Sequence, residues 1–267
     1  MDFVQLNEHR IAYWQSGTGV PLVLVHGSFA TSSAWKRLAS NLDPSAWHAV
    51  ALDLPGWGES DSPPDHPALV DLEAAAVEAL AKHVSDGPIH LAGHSHGGTV
   101  ALAVALAGRV PVQSLVLFEP LPVCVFRHTG DTAELQEVMD FVSGYRRAFD
   151  AGEKWAARAV IDLWGGSGSF DAMAPAVREF IAARTTQNLR DWQGSFAFTP
   201  SLQALRDLQV PTTIVQGALS NRIAKLIALR LKQSIPKSTI VEMRGASHFM
   251  IHTHAAESAR LTAGAYS

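Results

Sequence analysis

Short, continuously apolar runs recur along the chain and limit the folds that it can adopt. The first clear example is Pro21-Leu-Val-Leu-Val25, which ends in His26-Gly27. A strand that is apolar at every position is typical of the middle of a parallel sheet, where helices cover both faces. Similar runs are found at His48–Leu52, Ile89–Ala92, Ser114–Phe118, Thr212–Gln216 and Ser238–Met243.

Helical patterns lie between these runs. The segment Leu69–Val84 has Leu72, Ala76 and Leu80 at four-residue intervals, which is the spacing of a helix with one buried face. A second apolar helix, Gly97–Ala107, directly follows the third run. Alternation of strands and helices predicts an α/β fold with a mostly parallel, doubly wound sheet flanked by helices.

The alternation breaks in the middle of the chain. Between Pro120 and about Leu208 there are helical patterns but no convincing strand. We therefore predict that residues 1–120 and 209–267 form the core domain, and that residues 121–208 form an inserted helical cap. The helices predicted in the cap are Thr132–Ala148, Glu153–Leu163 and Ala174–Asn188.

Composition limits the partners and the compartment. The 267 residues include 21 basic and 25 acidic side chains, a net charge of −4. We expect no nucleic-acid or membrane partner, only a small-molecule substrate, and a homo-oligomer is compatible with the sequence. The single cysteine, Cys124, excludes an intrachain disulfide. The N-terminus does not resemble a signal peptide, and no apolar run is long enough to span a bilayer, so we expect a cytoplasmic protein.

The motif that carries the chemistry is Gly93-His94-Ser95-His96-Gly97, which matches G-x-S-x-G. It follows an apolar run and opens a helix, as a nucleophile elbow requires. In such an elbow the serine lies on a strained turn, and side chains at the two glycines would collide with neighbouring backbone. The N–H of His96, at the start of the helix, can donate to a developing oxyanion. A glycine-rich turn that contains serine by chance is the alternative that this context disfavours.

Three further segments, together with this elbow, resemble the α/β-hydrolase family over nearly the whole chain. His26-Gly-Ser-Phe29 looks like the family's oxyanion loop, Asp53-Leu-Pro-Gly-Trp-Gly-Glu-Ser60 like its D-x-P-G-x-G-x-S turn, and Gly245-Ala-Ser-His-Phe-Met250 like its late histidine loop. The resemblance implies an α/β-hydrolase fold with an inserted cap.

The same resemblance implies the roles of individual residues. Ser95 would be the nucleophile and His248 its general base. The backbone N–H of Ser28 would form the oxyanion hole with that of His96, and Phe29 is the competing choice for Ser28. Asp53 would be a structural residue of its turn and not the triad acid.

The triad acid departs from the usual family pattern. Most members carry an aspartate shortly after the strand that corresponds to Thr212–Gln216, but this chain has Ser220 and Asn221 there. Neither can supply the negative charge that stabilises an imidazolium. One strand earlier, an apolar run ends in Glu119, which keeps the chain order nucleophile, acid, histidine. We predict Glu119 as the acid, a placement that resembles certain lactonases; a capping or salt-bridged glutamate is the alternative.

Two His-x-His pairs raise the question of a metal. His94 with His96, and His252 with His254, could in principle bind zinc. However, the neighbours of an elbow serine diverge, and no motif such as H-E-x-x-H accompanies them. We therefore predict no metal and no cofactor.

The function predicted from these residues is hydrolysis of a carboxylic ester or lactone through an acyl-enzyme, with a Ser-His-Glu triad. The alternative is a cofactor-independent dioxygenase of the same fold that acts on a hydroxyquinolone-like heterocycle. Residues 93–98, Gly-His-Ser-His-Gly-Gly, resemble the elbow of those enzymes, although the oxyanion loop lacks their Trp-Cys. A non-catalytic receptor is a third reading, which the intact pair Ser95 and His248 disfavours.

Overall fold

The computed structural model describes residues 1–62 and 69–264. In these residues eight strands form one sheet in the order β1-β2-β4-β3-β5-β6-β7-β8. The pairs β1/β2 and β2/β4 are antiparallel and the other five are parallel, which confirms the predicted mostly parallel sheet. The strands are β1 (Asp2–Leu6), β2 (His9–Ser16), β3 (Val20–Val25), β4 (Trp47–Leu52), β5 (Ile89–His94), β6 (Val112–Phe118), β7 (Thr212–Gly217) and β8 (Ser238–Met243).

Helices cover both faces of this sheet. A 3-10 helix, Ser32–Trp35, precedes the first of them. The α-helices are α1 (Lys36–Ala39), α2 (Leu69–Val84), α3 (His96–Ala107), α4 (Val125–Thr129), α5 (Thr132–Asp150), α6 (Arg158–Gly165), α7 (Pro175–Ala183), α8 (Thr185–Ala197), α9 (Leu202–Asp207), α10 (Arg222–Ser234), α11 (Met250–Thr253) and α12 (Ala255–Gly264). None of the described helices combines the length and the apolar character needed to cross a membrane.

The apolar runs of the central strands β3, β4, β5 and β6 are buried on both faces, as their composition predicts, whereas in the edge strand β8 only Ser238 and Met243 are buried. In β3, Val23 and Val25 pack into one hydrophobic core with α2, α3 and α10. Leu22 and Leu24 point the other way, into a second core that contains Trp35 and residues of α11 and α12. Alternate side chains of a strand point to opposite faces, so a run without polar residues requires these two separate cores.

The registers of the parallel strands bring their carboxyl ends to one edge of the sheet. Val25 lies opposite Gly93, and His94 lies opposite Phe118. The residues that follow β3, β5 and β6 therefore emerge side by side. Ligands of open α/β sheets bind at this edge.

The chain between β6 and β7 contributes helices α4 to α9 and, among the described residues, no strand. This segment, called the insertion below, is the helical region that the sequence predicts. The predicted helix Ala174–Asn188 is wrong in one respect, because α7 and α8 are separate and Arg184 between them has a φ of −110°. A break of one residue leaves the apolar spacing nearly unchanged and does not alter the periodicity. The division into domains at 121–208 stays a prediction, and residues 63–68 and 265–267 of the predicted core lie outside the described part.

Candidate active site

Ser95 lies on a tight turn between β5 and α3. Its backbone has φ 56° and ψ −124°, a conformation that residues other than glycine rarely adopt. Crowding explains the neighbouring glycines. A Cβ at Gly97 would collide with the carbonyl oxygens of Val25 and His26, and one at Gly27 would lie 2.9 Å from the Cβ of Ser95. The turn therefore presents the serine hydroxyl at the sheet edge, with the oxyanion loop packed directly against it.

His248 reaches Ser95 from the loop after β8. The distance from His248 Nε2 to Ser95 Oγ is 2.9 Å. His94 holds this loop, since its Nε2 lies 2.8 Å from the carbonyl oxygen of His248. Burial, followed by the nearby His248, lowers the pKa of His94 well below its ordinary value, so His94 is neutral and its Nε2–H donates this bond. From the other side Trp164 stacks on the His248 ring, with centroids 5.1 Å apart.

Glu119 completes a hydrogen-bonded chain. Its Oε2 lies 2.7 Å from His248 Nδ1, and its other oxygen accepts from the Gly217 N–H at 2.7 Å and from Ser220 Oγ. Burial by itself would raise the pKa of Glu119, but the hydrogen bonds and the charge interaction with His248, supported by Ser220 and Gly217, lower it. Glu119 is therefore an ionised carboxylate with partners on both oxygens. The structure brings together the three residues that the sequence predicts as a triad.

The segment after β7, which has Ser220 and Asn221 where the family resemblance leads one to expect an aspartate, supports Glu119. The Ser220 hydroxyl donates to Glu119. Asn221 instead caps α10, because its Oδ1 accepts from the Ala224 N–H at 2.9 Å. This hydrogen bond from Ser220 was not predicted from the sequence. The available signal was a short polar side chain in a segment that lacks a carboxylate.

The two residues predicted to form the oxyanion hole lie on either side of Ser95. Ser28 is in the loop after β3, and His96 is the first residue of α3. Both line the same cavity as Ser95. Phe29, the competing choice, also lines the cavity and has a positive φ of 56°. The choice of Ser28 stays a prediction.

Asp53 and His26 have structural contacts that account for their burial. The two carboxylate oxygens of Asp53 accept from the N–H groups of Ser32 at 2.7 Å and Glu59 at 2.9 Å. His26 Nε2 accepts from the Leu54 N–H at 3.0 Å. The bond from Leu54 to His26 joins the loop at residues 26–29 to the turn at residues 53–60. The contacts of Asp53 are those expected of a structural residue of this turn.

A buried charged cluster lies behind His96. Its members are Glu73 on α2, His96 on α3 and Asp191 on α8, and one ligand atom of each lies within 4.8 Å of the others. His96 Nε2 is 2.7 Å from Glu73 Oε2. Burial would lower the pKa of His96, but the carboxylates of Glu73 and Asp191 outweigh it and raise the pKa to about 9.

This cluster is the set within the described residues that resembles a metal site. In the described structure His96 and Glu73 form an ion pair, since the raised pKa of His96 favours its protonated form. The four histidines considered from the sequence do not form such a set in the described part of the chain. Sequence reasoning missed Glu73 and Asp191. The available signal was the place of Glu73 among the buried residues Val70, Ala74 and Val77 of α2.

A cavity of about 580 Å³ opens between the sheet edge and the insertion. Ser95 and His248 lie in its wall. The insertion contributes mostly apolar and aromatic side chains, namely Val160, Ile161, Trp164, Met173, Val177, Phe180, Ile181 and Trp192. Among the described residues that line it there is no lysine or arginine, and Asp191 is the one carboxylate. The cavity therefore suits an uncharged, largely apolar ligand.

The fold and this arrangement at the sheet edge are those of an α/β hydrolase. A sequence profile described as "Alpha/beta hydrolase family" matches residues 22–261. The chain therefore belongs to the alpha/beta hydrolase family.

Individual proteins show the same relationship. The 2-hydroxy-6-oxononadienedioate/2-hydroxy-6-oxononatrienedioate hydrolase of Burkholderia vietnamiensis is 37% identical over 114 residues, which is 41% of this chain and only 40% of that protein. A hydrolase 2 of the same name from Pseudomonas putida is 26% identical, over 92% of this chain and 87% of its own length. The solved structure of an enol-lactonase from Burkholderia xenovorans LB400 has a TM-score of 0.74 at 19% identity and covers 99% of both chains. At that identity the likeness concerns the fold alone.

Proposed function

We propose that this protein is a serine hydrolase that cleaves an uncharged carboxylic ester or lactone through an acyl-enzyme. The observation that carries the proposal is the hydrogen-bonded chain from Ser95 through His248 to Glu119, with Ser95 exposed to an apolar cavity. A serine with an adjacent base, itself oriented by a carboxylate, is the arrangement that activates a hydroxyl as nucleophile.

The reaction follows from these positions. Ser95 Oγ attacks the carbonyl carbon and its proton passes to His248 Nε2, while Glu119 stabilises the resulting imidazolium. The N–H groups of Ser28 and His96 hold the oxyanion. His248 then gives the proton to the departing alkoxide, or to the ring oxygen of a lactone. A water molecule then gives a proton to His248 and attacks the acyl carbon. The bond from that carbon to Ser95 Oγ breaks, His248 returns the proton to Ser95 Oγ, and the acid is released.

The charge of the cavity supports an ester or lactone over the substrates named for the relatives. A dienedioate carries two carboxylates at neutral pH. In this chain the described cavity wall offers no lysine or arginine to pair with them, and its one cationic side chain, His96, is already paired with the buried Glu73. Bringing a dianion into such an apolar cavity costs free energy because its hydration is not replaced. An uncharged acyl group has no such cost and gains from contact with Trp164 and Trp192.

The test is a substrate panel with the covalent intermediate as its second readout. Purified protein is assayed with p-nitrophenyl esters of increasing acyl length, with aliphatic lactones, and with a 2-hydroxy-6-oxo dienedioate. Brief exposure to ester before acid quench is expected to add the acyl mass to the peptide that contains Ser95, and Ser95→Ala is expected to show neither turnover nor acylation. Turnover of the dienedioate alone would contradict the ester and lactone assignment.

A planar heterocycle is a second candidate substrate, because one wall of the site is a stack of flat rings. Trp164 lies over His248, and Trp192 lies parallel to Trp164 with centroids 6.2 Å apart and 16° between the planes. A hydroxyquinolone deprotonated by His248 would then react with oxygen without a cofactor. An oxygen electrode with a 3-hydroxy-4-quinolone tests this. Oxygen uptake that survives in Ser95→Ala and is lost in His248→Ala, without esterolysis in the wild type, would favour the dioxygenase.

A further inference from the structure

The buried cluster of Glu73, His96 and Asp191 includes one residue of the proposed oxyanion hole, His96, and contacts the other, Ser28. The Ser28 hydroxyl donates to Asp191 Oδ2, and the His96 ring contacts Glu73 at 2.7 Å. The three cluster residues are 0%, 3% and 2% exposed. The side chains of the two residues whose N–H groups would bind the oxyanion are therefore held by a single group of charges.

The cluster joins three separate parts of the fold. Glu73 belongs to α2 and His96 to α3 of the sheet-bearing part, while Asp191 belongs to α8 of the insertion. Gln187, one turn earlier on α8, donates to the other oxygen of Asp191 at 3.2 Å. Gln187 thus orients the Asp191 carboxylate within α8, and the other carboxylate oxygen faces Ser28.

Charge favours a single arrangement of this contact. With its pKa raised to about 9, His96 is a cation at neutral pH, and its ring lies within 4.8 Å of two buried carboxylates. Its second ring nitrogen is 3.3 Å from Ser195 Oγ, also on α8. Buried charges that pair in this way have few alternative arrangements, because each would leave a charge without a partner.

We propose that Asp191 and Glu73 are positioning residues that fix the oxyanion hole, Asp191 through the Ser28 hydroxyl and Glu73 through the His96 ring. The hole is then complete only while α8 of the insertion is docked on the sheet. This inference rests on the proposed function, since it assigns an oxyanion to the space beside Ser95. Stabilisation of an oxyanion depends on donors held in place before the reaction. Loosening the loop that contains Ser28, or the start of α3 at His96, therefore lowers kcat without changing the fold.

The experiment compares Ser28→Ala, Asp191→Asn and the double variant with the wild type, using an uncharged ester that the wild type hydrolyses. Ser28→Ala keeps the backbone N–H and removes only the hydroxyl that reaches Asp191. Asp140→Asn, an exposed carboxamide exchange on α5, is the matched control. Circular dichroism and urea unfolding confirm that each variant is folded at the assay temperature.

We expect each single variant to lose about tenfold to a hundredfold in kcat, with KM within about twofold, because removal of a whole donor costs about 10² to 10³. The double variant should be no slower than the slower single, since both changes break one contact. Affinity for phenylboronic acid, which forms a tetrahedral adduct on the serine, should fall in parallel with kcat. A cluster that only docks α8 would change the unfolding midpoint and leave kcat and boronate affinity unchanged.

Several outcomes separate this inference from the function on which it rests. Unchanged kcat in folded Ser28→Ala, or additive losses in the double variant, would overturn the positioning role while leaving the hydrolase assignment intact. If Asp191→Asn does not fold, Ser28→Ala with its boronate affinity decides the question. A wild type that neither hydrolyses any ester nor is labelled at Ser95 by a fluorophosphonate would overturn both.

Discussion

The backbone N–H of Ser95 donates to the carbonyl oxygen of Phe118 over 2.9 Å, so the proposed nucleophile is hydrogen bonded to the residue that directly precedes Glu119. The N–H of Glu119 in turn donates to Val215 on β7, also at 2.9 Å. Two neighbouring strand ends therefore hold the proposed nucleophile and the proposed acid next to each other. The histidine loop has to supply only the ring between them.

Removing the charge of Glu119 should cost most of the activity. We expect Glu119→Gln to lower kcat about 10⁴-fold, because the amide cannot stabilise the imidazolium of His248 and disturbs its tautomer. The measurement is steady-state hydrolysis of a chromogenic ester. The control is Glu242→Gln on β8, whose side chain is 51% exposed and which should retain activity. Equal rates in the two variants would exclude Glu119 as the acid.

Loss of the Ser220 hydroxyl should change stability in a pH-dependent way. The pKa of Glu119 lies below its ordinary value of 4.5, partly because Ser220 donates to it. A carboxylate with a lowered pKa stabilises the fold above its ordinary pKa, and this contribution is lost as the pH falls through the lowered value. Ser220→Ala should therefore cost about 1 to 2 kcal/mol in unfolding free energy at neutral pH, and progressively less as the pH falls below 4.5 and through the lowered pKa of Glu119. Urea unfolding at neutral pH and at a series of values below 4.5 checks this, and a difference independent of pH would contradict it.

Ser95→Gly should be inactive but more stable than Ser95→Ala. Either change removes the nucleophile, which typically costs about a millionfold in kcat. Glycine also relieves the strain of φ 56°, worth about 1 to 3 kcal/mol, against a smaller gain in the entropy of the unfolded chain. The net difference expected in urea unfolding is about 1 kcal/mol in favour of glycine. A glycine variant less stable than the alanine variant would show that the turn is not strained.

Two Gly→Ala substitutions should have opposite effects on stability. At Gly97 the added methyl group would collide with backbone carbonyl oxygens of the oxyanion loop, so Gly97→Ala should cost about 3 kcal/mol or more and abolish activity. At Gly144, inside α5, the nearest atom is the flexible end of Arg147 at 3.7 Å. There alanine should add about 0.5 to 1 kcal/mol through helix propensity. Thermal unfolding of both variants tests the pair, and destabilisation by Gly144→Ala would count against the steric argument.

The sequence by itself determined the parts of this protein that depend on neighbouring residues. Apolar runs predicted the buried strands, and the glycines around Ser95 predicted the turn, because a strand and the turn after it are decided by residues within a short stretch. Glu119 could be found from its place at the end of β6, once Ser220 and Asn221 had been excluded because neither carries a charge. The one-residue break between α7 and α8 could not be predicted, because it hardly disturbs the periodicity of the apolar residues.

Only the tertiary structure decided which side chains meet. Ser28 and Asp191 are 163 residues apart, and their contact depends on how the insertion folds back over the sheet. The partnership of Glu73 with His96 depends likewise on the packing of α2 against α3. A buried charge is tolerated only beside a partner, and that partner can come from any part of the chain. For this reason the sequence contained the proposed triad in readable form, but not the charged cluster behind its oxyanion hole.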